Sequence, residues 1–513
     1  MANFIDTNIN QTVLMDINFL DQLGKNTFEF YLYTLLNREH MLDEFLLKYK
    51  NKKVGRKAYS PELLLRIVFV AYYRGITSSR VIARLCETDL TFMSLAVGTK
   101  PHFSTISNFV SDNCDAIKDL FHRVLLVCDE SGLIGKEHFA IDGCKLPTNA
   151  SKQWSGTHDQ LAKKSNKMRT RAERIVNKHV DSDSKKNDQS GHYKKDMQTV
   201  ETLLKNADKI DHFLANNEKR MGNGKSKSEV QSNITDNESS KMKTTKGTIQ
   251  GMTCVAAVDE LNQIVIATRA FGVGQEQITL KPMVEGIKAQ LGEDVFDSGC
   301  VLTADTGFCS ESNLAFLYNN KIVAVIPDTL FRMRDPIYAD SETFKKHKED
   351  RQKTRKDRKN TKKIFSQDEF VIDFENKTAV CPNGKYMLYH GDNYENHNGP
   401  HMRFQGKLND CRHCPLSDQC MKNGVKDRGR TILVLIKDKK KVTHLDRMKK
   451  IIDSEDGKHQ YSKRMYTVEP VFANICSNKG IKRLSLRGES KVTAQWQLCC
   501  MVHNIEKLWK YAA

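Results

Sequence analysis

The chain has 513 residues, which is too long for one compact core and predicts two to four domains of roughly 100 to 200 residues each. Its composition, 39% hydrophobic and 28% charged, excludes global disorder. Lysine and arginine number 81 against 63 acidic residues, a formal charge of +18. This excess favours a polyanionic partner, nucleic acid first of all, but it identifies no chemistry.

The amino terminus, MANFIDTNINQTVL, lacks the charged start, long apolar run and cleavage site of a secretory signal, and no window reaches about 18 uninterrupted apolar residues. We therefore expect a cytoplasmic protein without membrane association. Its 14 cysteines are then expected to be reduced thiols, so a cluster of them points to a metal rather than to disulfides.

Residues 1–135 predict an all-helical N-terminal domain, because apolar residues recur there at spacings of three and four. Ser60, Pro61 and Glu62 combine a capping hydroxyl, a proline and an acid in the order that begins a helix. The polar segment 75–79 separates two helices and allows a helix-turn-helix that binds DNA. An ordinary bundle of amphipathic helices explains the same pattern equally well.

A core of the α/β class, a mixed sheet with flanking helices, is predicted over 136–328 and 456–513. The segment EHFAIDG predicts a strand, and the pair GMTCVAAVDE and NQIVIATRAFG predicts a β-hairpin. Further on, GCVLTADTGF predicts a strand, ESNLAFLYNN a helix, and KIVAVIPD another strand. YSKRMYTVEPVFANI and SKVTAQWQLCCMVHNIEKLWK read as two further helices.

Two basic insertions interrupt this core. The first, about 150–246, has two segments of helical period that predict a helical hairpin, followed by KSKSEVQSNITDNESSKMKTTKG, which we expect to form a loop or linker. The second, 329–455, contains the charge run KKHKEDRQKTRKDRKNTKK and a group of cysteines.

Asp142 and Asp305 each come at the predicted end of a strand, immediately before a turn residue. If the two strands are neighbours, both carboxylates lie at one edge of the sheet, where they suit Mg²⁺ or Mn²⁺. Two such ions can activate the attacking oxygen and stabilise the leaving oxygen at phosphorus. From spacing alone, the alternative is that each aspartate only caps a turn or a helix.

Three segments, AIDGCKLPTNAS, TADTGFCSESNLAFL and YSKRMYTVEPVFANICSNKGIKRLSLRG, resemble the motif blocks of DDE transposases of bacterial insertion sequences. The resemblance implies an RNase H-like core in which Asp142, Asp305 and Glu469 are the catalytic carboxylates and the ligands of Mg²⁺ or Mn²⁺. It implies an endonuclease that cleaves double-stranded DNA at the ends of a transposable element and joins the released 3′-hydroxyl to target DNA. It also implies a homo-oligomer, most simply a dimer, associated with the nucleoid.

In that family a tyrosine and an arginine precede the glutamate and a lysine follows it, and these groups are expected to bind DNA. Tyr461 and Arg464 precede Glu469 here, although the arginine lies one residue further away than usual. Cys476 stands where the lysine is expected, and Lys479 three residues later is its candidate substitute. The alternative for Tyr461 and Arg464 is a surface position packed along the helix.

Lys145 and Lys152 follow the first aspartate closely and are further candidates for DNA binding through phosphate neutralisation. Solvated surface lysines explain the pair equally well.

Four cysteines in the second insertion, Cys381, Cys411, Cys414 and Cys420, could hold a structural Zn²⁺. Two intervening residues between Cys411 and Cys414 let both thiolates face one ion, and His413 is a possible replacement ligand. The alternative is a set of reduced thiols in a loop-rich insertion.

Two other functions remain open on the sequence. The first is a catalytically inactive or domesticated DNA-binding protein derived from a transposase, which Cys476 favours. The second is a nuclease that cuts without joining, because cutting and joining use the same carboxylates.

Overall fold

The computed structural model describes residues 18–49, 57–183, 190–222, 228–245, 247–336, 364–392, 394–396, 399–421, 424–436 and 442–511. The predicted charge run at 345–363 lies outside these residues. The chain divides into two compact units. Unit 1 comprises the described residues of Met1–Phe308, Asn319–Ala324 and Gln460–Ala513, and unit 2 those of Cys309–Tyr318 and Val325–His459.

The described helices are, in chain order, α1 Phe28–Leu36, α2 Asp43–Leu47, α3 Pro61–Tyr73, α4 Ser79–Thr88, α5 Leu90–Leu95, α6 Phe103–Asp112, α7 Cys114–Glu130, α8 His158–Asp183, α9 Ser190–Asn216, α10 Leu280–Leu291, α11 Glu311–Asn319, α12 Phe331–Arg334, α13 Leu408–Arg412, α14 Ser417–Cys420, α15 His444–Asp453, α16 Glu455–Phe472 and α17 Glu489–Tyr511. A π-helix, Ala473–Asn478, continues α16.

The described strands are β1 His138–Pro147, β2 Ser155–Gly156, β3 Ser232–Asn233, β4 Ser240–Thr244, β5 Gly247–Asp259, β6 Val265–Phe271, β7 Val301–Ala304, β8 Val323–Val325, β9 Val371–Asp373, β10 Thr378–Val380, β11 Tyr386–Tyr389, β12 Tyr394–Asn396, β13 Gly399–Gln405 and β14 Thr431–Leu435. The protein is therefore of mixed helix and sheet, compatible with the predicted α/β class.

The N-terminal helices α1 to α7 form where the apolar spacing predicted helices. Ser60 caps α3, because its hydroxyl oxygen accepts a hydrogen bond from the Leu63 amide at 3.2 Å and Pro61 takes the first helical position. In unit 1 these helices pack against α17, which also covers the large sheet. The helical region thus shares one compact unit with the sheet.

The large sheet of unit 1 runs in the order β4-β5-β1-β7-β8, and β6 also pairs with β5. β1 and β6 are both antiparallel to β5, whereas β1 and β7 are parallel. The expected hairpin is present as β5 and β6. Buried Asp259 at its turn accepts hydrogen bonds from the amides of Gly135, Lys136 and Leu261 at 2.9–3.0 Å.

Helix α17 covers this sheet with buried polar side chains that find partners on it. The Trp496 indole donates to the Val255 carbonyl at 3.2 Å, and Asn504 bonds both the amide and the carbonyl of Val265 at 2.8 and 2.9 Å. Gln495 donates to the Tyr72 hydroxyl at 3.0 Å and so ties α3 to the same helix. The buried polar groups of Trp496, Asn504 and Gln495 thus have hydrogen-bond partners, as a stable interior requires.

The first insertion contains the expected pair of long helices, α8 and α9. Leu161, Ile210 and Phe213 form a small buried cluster between them, with Trp154 packed against it. The expectation of a loop at 225–247 was wrong for part of that stretch, because β3 and β4 form there and β4 pairs with β5 in the large sheet. Edge strand β4 buries only Met242 in full, so its sequence lacks an apolar alternation.

Unit 2 contains a second sheet, ordered β12-β13-β11-β10-β9, with β14 paired to β13. Its core is small and consists of Phe370, Ala379, Met387, Met402, Phe404, Ile432 and Val434. Cys381 and Cys420 pack against this core.

Candidate functional site

Asp142 and Asp305 lie side by side because of the register between two parallel strands. The β1–β7 pairing ends at Ile141 opposite Ala304. The residue that follows each of them is one of the two aspartates, Asp142 or Asp305. The prediction that Asp142 ends its strand was wrong. β1 runs on to Pro147, because residues 143–147 continue to pair with β5.

Glu469 on α16 is connected to this pair through Arg464. The guanidinium Nη2 of Arg464 lies 2.7 Å from Asp142 Oδ2, and its Nη1 lies 4.0 Å from Glu469 Oε1. The Tyr461 hydroxyl donates to Asp305 Oδ1 at 3.4 Å. The structure therefore gathers the three predicted carboxylates around one arginine and one tyrosine, all within unit 1.

Arg464 is buried, with its side chain 8% exposed, whereas the Glu469 side chain is 55% exposed. The Arg464 Nε is a buried donor without a hydrogen-bond acceptor among the described residues. Arg464 thus faces the carboxylates from the protein side, while Glu469 faces solvent. The alternative of a surface position is wrong for Arg464.

The charges of this cluster act on one another. Burial raises the pKa of Asp142, and the adjacent Arg464 guanidinium opposes that rise. Burial by itself lowers the pKa of Arg464, but the negative charge of Asp142 reverses the effect and the net shift is upward. One fixed positive charge therefore compensates a crowded set of carboxylates.

The sequence analysis missed a fourth carboxylate, Glu276, which lies beside this cluster. Burial raises the pKa of Glu276; nearby Lys145 opposes that rise, and the charges of Asp142 and Asp305 add to it. A Cβ atom at Gly307 would stand 2.1 Å from Glu276 Oε2, so this glycine permits the close approach. In the sequence Glu276 is only one acid in a polar stretch before a helix, and no local pattern identifies it.

The two lysines after Asp142 differ in their surroundings. Lys145 Nζ lies 3.8 Å from Glu276 Oε1 and is half-buried. Lys152 is exposed, where a phosphate could reach it. Their contact with DNA stays a prediction.

Lys479 is buried and paired within unit 1. Its Nζ lies 2.6 Å from Glu506 Oε2 and 4.5 Å from the centre of the Tyr73 ring. Its carbonyl oxygen would be 1.8 Å from a Cβ atom at Gly75, where φ is +76°. Lys479 thus joins the C-terminal segment to the N-terminal helices, while Cys476 lies in the π-helix.

The four cysteines of unit 2 line one cavity of about 40 Å³. Cys381 begins the turn between β10 and β11, Cys411 lies on α13, Cys414 follows α13, and Cys420 ends α14. His413 does not line this cavity; its Nδ1 lies 3.0 Å from the Asn409 carbonyl oxygen. Sequence-distant thiols are thus brought to one place.

In the part of the chain that the structure describes, no group of three or more His, Cys, Asp or Glu side chains is arranged so that it could hold a metal ion. The same residues include no helix that is long and apolar enough to cross a membrane.

Comparison with known proteins gives two family matches. Residues 17–112 match a transposase domain of the DUF772 family, and residues 380–509 match a transposase DDE domain. The second match includes Glu469 and the four cysteines but neither aspartate. No curated protein and no solved structure matches. The two matches confirm the family that the three sequence segments resemble, and the chain is an insertion-sequence transposase of the DDE class.

Proposed function

We propose that this transposase cleaves double-stranded DNA at the ends of its element and transfers the cut strand into target DNA, with Asp142, Asp305 and Glu469 as catalytic carboxylates. The observation that carries the proposal is the register of β1 and β7, which makes the two aspartates neighbours. The sheet order, three antiparallel strands followed by β7 and β8, supports an RNase H-like core.

The carboxylate oxygens of Asp142 and Asp305 suit Mg²⁺ or Mn²⁺. Mg²⁺ is usually held by one or two carboxylates together with water and substrate phosphates, so two adjacent aspartates are a sufficient protein contribution. When bound, such an ion stabilises the charge that develops on the oxygens of the phosphate. Glu469, exposed beside Arg464, would be the third carboxylate ligand of the ion.

The neighbouring residues set the charge and geometry of the reaction. Arg464 holds Asp142 in place and offsets the negative charge of the cluster. Tyr461 positions Asp305 through its hydroxyl. Glu276 holds Lys145 beside the carboxylates, where the ammonium can pair with a phosphate. Lys152 extends this basic surface. Arg464 and Lys479 contact DNA only if their present ion pairs open.

Cleavage of a labelled duplex that carries the element end, in the presence of Mg²⁺ or Mn²⁺, tests the proposal. We expect the wild-type protein to yield cleaved and strand-transfer products and Asp305→Ala to yield neither, while both bind the duplex. Asp297→Ala is the matched control, because this exposed aspartate lies in the loop before β7. Equal cleavage by wild type and Asp305→Ala would refute the assignment of Asp305.

A second candidate is a catalytically inactive DNA-binding descendant. The burial of Lys479 against Glu506 favours it, because the substitute for the expected lysine is then engaged within the protein. DNA binding without cleavage under either metal would support this candidate. Cleavage without strand transfer would instead indicate a nuclease. A dimer is proposed because two element ends must be held together.

A further inference from the structure

We propose that Cys381, Cys411, Cys414 and Cys420 of unit 2 form a structural zinc site. All four side chains line the same cavity, although they come from a strand turn, two short helices and the link between these helices. The proposal does not depend on the catalytic function of unit 1.

The volume of the cavity that the four cysteines line limits the kind of ligand that it can bind. Pockets for organic ligands typically enclose about 300–1,000 Å³, whereas this one encloses about 40 Å³. It accommodates an ion but no cofactor. Four thiolates satisfy tetrahedral zinc completely, with Zn–S distances of about 2.3 Å, and leave no open position for a substrate.

The backbone around Cys411 is shaped to admit its sulfur. A Cβ atom at Gly406 would stand 3.0 Å from Cys411 Sγ, and one at Gly429 would stand 3.1 Å from the same sulfur. A Cβ at Gly429 would also lie 2.0 Å from the Gly406 carbonyl oxygen. The segments that contain Gly406 and Gly429 can therefore lie this close to the Cys411 sulfur only because both residues are glycine.

The turn that carries Cys381 is held equally firmly. The Cys381 amide donates to the Lys385 carbonyl at 2.9 Å, and the Gly384 amide donates to the Cys381 carbonyl at 2.8 Å. As the four cysteines stand in the described residues, they do not form a group that could hold a metal ion, so we expect zinc binding to draw their sulfurs together within the cavity.

A structural reason for the site lies in the small core of unit 2. Among the described residues, the buried hydrophobic cluster beneath its six strands has seven members, and small cores gain much of their stability from disulfides or metals. Cys381 and Cys420 pack against that core, so a zinc ion would fasten α13 and α14 to the sheet.

The zinc content of the purified full-length chain tests the proposal by elemental mass spectrometry. We expect about one zinc per chain, as a single tetrahedral site requires, and a loss of this zinc in Cys411→Ser. Cys114→Ser is the matched control, because that half-buried thiol lies in unit 1 and its Sγ donates to the Ser111 carbonyl. Asp305→Ala should retain the zinc, which separates this site from the catalytic one.

If Cys411→Ser fails to fold, a second measurement on the wild-type protein tests the zinc site. Alkylation of the wild-type protein, mapped by mass spectrometry, should leave the four thiols protected until a chelator is added, while Cys114 reacts independently of the chelator. Absence of zinc from the wild type, retention of zinc by soluble Cys411→Ser, or disulfides among the four cysteines would each overturn the proposal. None of these results bears on cleavage by unit 1.

Discussion

The two units bring their chemical groups together in different ways. In unit 1 the register of the parallel strands β1 and β7 places Asp142 beside Asp305, and the surrounding core is extensive. In unit 2 the four cysteines lie on turns and short helices around a core of seven residues. A site built on a sheet keeps its geometry by itself, whereas a site built on loops gains stability from the ion that it binds.

The largest expected effect is a selective response to chelation. Removal of metal should greatly increase hydrogen exchange at 371–435 in unit 2 and leave 138–142 and 301–304 protected, although cleavage stops. Structural zinc contributes on the order of 10 kcal/mol to the folding of small zinc domains. Mg²⁺ alone should then restore cleavage, and only Zn²⁺ should restore protection of 371–435. Equal loss of hydrogen-exchange protection in both units would contradict the proposed difference between the two sites.

Arg464→Met should cause the next largest effect and measures how far the carboxylate cluster of Asp142, Asp305 and Glu469 depends on one cation for its stability. Removal of one partner of a fully buried ion pair typically costs about 3–5 kcal/mol. Arg464 is buried but Asp142 is only half-buried, so we expect a loss near the lower end of this range. Urea denaturation measures the loss. Lys463→Met is the control, since the Lys463–Glu260 pair is more exposed and should contribute less than about 1 kcal/mol. Equal losses would contradict the role given to Arg464.

Glu506→Gln should lower the stability of unit 1 in a pH-dependent way. Burial by itself raises the pKa of Glu506, but hydrogen bonds from Asn474, Lys479 and Lys510 prevail and lower it from 4.5 to about 2. A carboxylate with a lowered pKa stabilises the protein above pH 4.5 and loses that contribution as the pH falls towards 2.

The free energy of unfolding should therefore fall by at most about 3 kcal/mol at pH 7 in Glu506→Gln, and the difference from wild type should narrow in acid. Denaturant titrations at a series of pH values measure both. Exposed Glu285 on α10 provides the control, Glu285→Gln, which should have little effect at any pH. A difference that does not change with pH would contradict this explanation.

The smallest expected effect is a change in the salt dependence of DNA binding, which shows which unit contacts DNA through basic residues. Each phosphate contact adds about 0.9 to the slope of log affinity against log salt. Lys152→Ala should lower that slope by about this amount, because Lys152 is exposed close to β1. The matched change in unit 2, exposed Lys426→Ala, should leave it unchanged. The reverse result would assign the DNA contact to unit 2.

The sequence predicted the strands that lead to Asp142 and Asp305, because the apolar runs before these two aspartates are local signals. It could not predict that β1 continues to Pro147, since that depends on pairing with a strand more than a hundred residues later. Edge strand β4 was missed because it buries only one side chain fully.

The contacts of the charged residues could not be predicted from local sequence patterns either, because their partners are distant in the sequence. Lys479 was predicted to face DNA, but the fold supplies Glu506 from a different helix as its partner. Glu276 became part of the cluster only through the packing of its segment against Gly307. The four cysteines, by contrast, line one cavity, while the zinc site that their spacing suggested stays a prediction.

The position of α17 has a consequence for synthesis of the protein. This helix covers the large sheet through Trp496 and Asn504, yet the ribosome makes it long after both aspartates. Until it emerges, one face of the nascent sheet lacks its cover, so nascent chains should need protection from aggregation by chaperones. A premature stop between Asp305 and Glu489 would release a polypeptide that contains both aspartates but lacks the helix that covers their sheet.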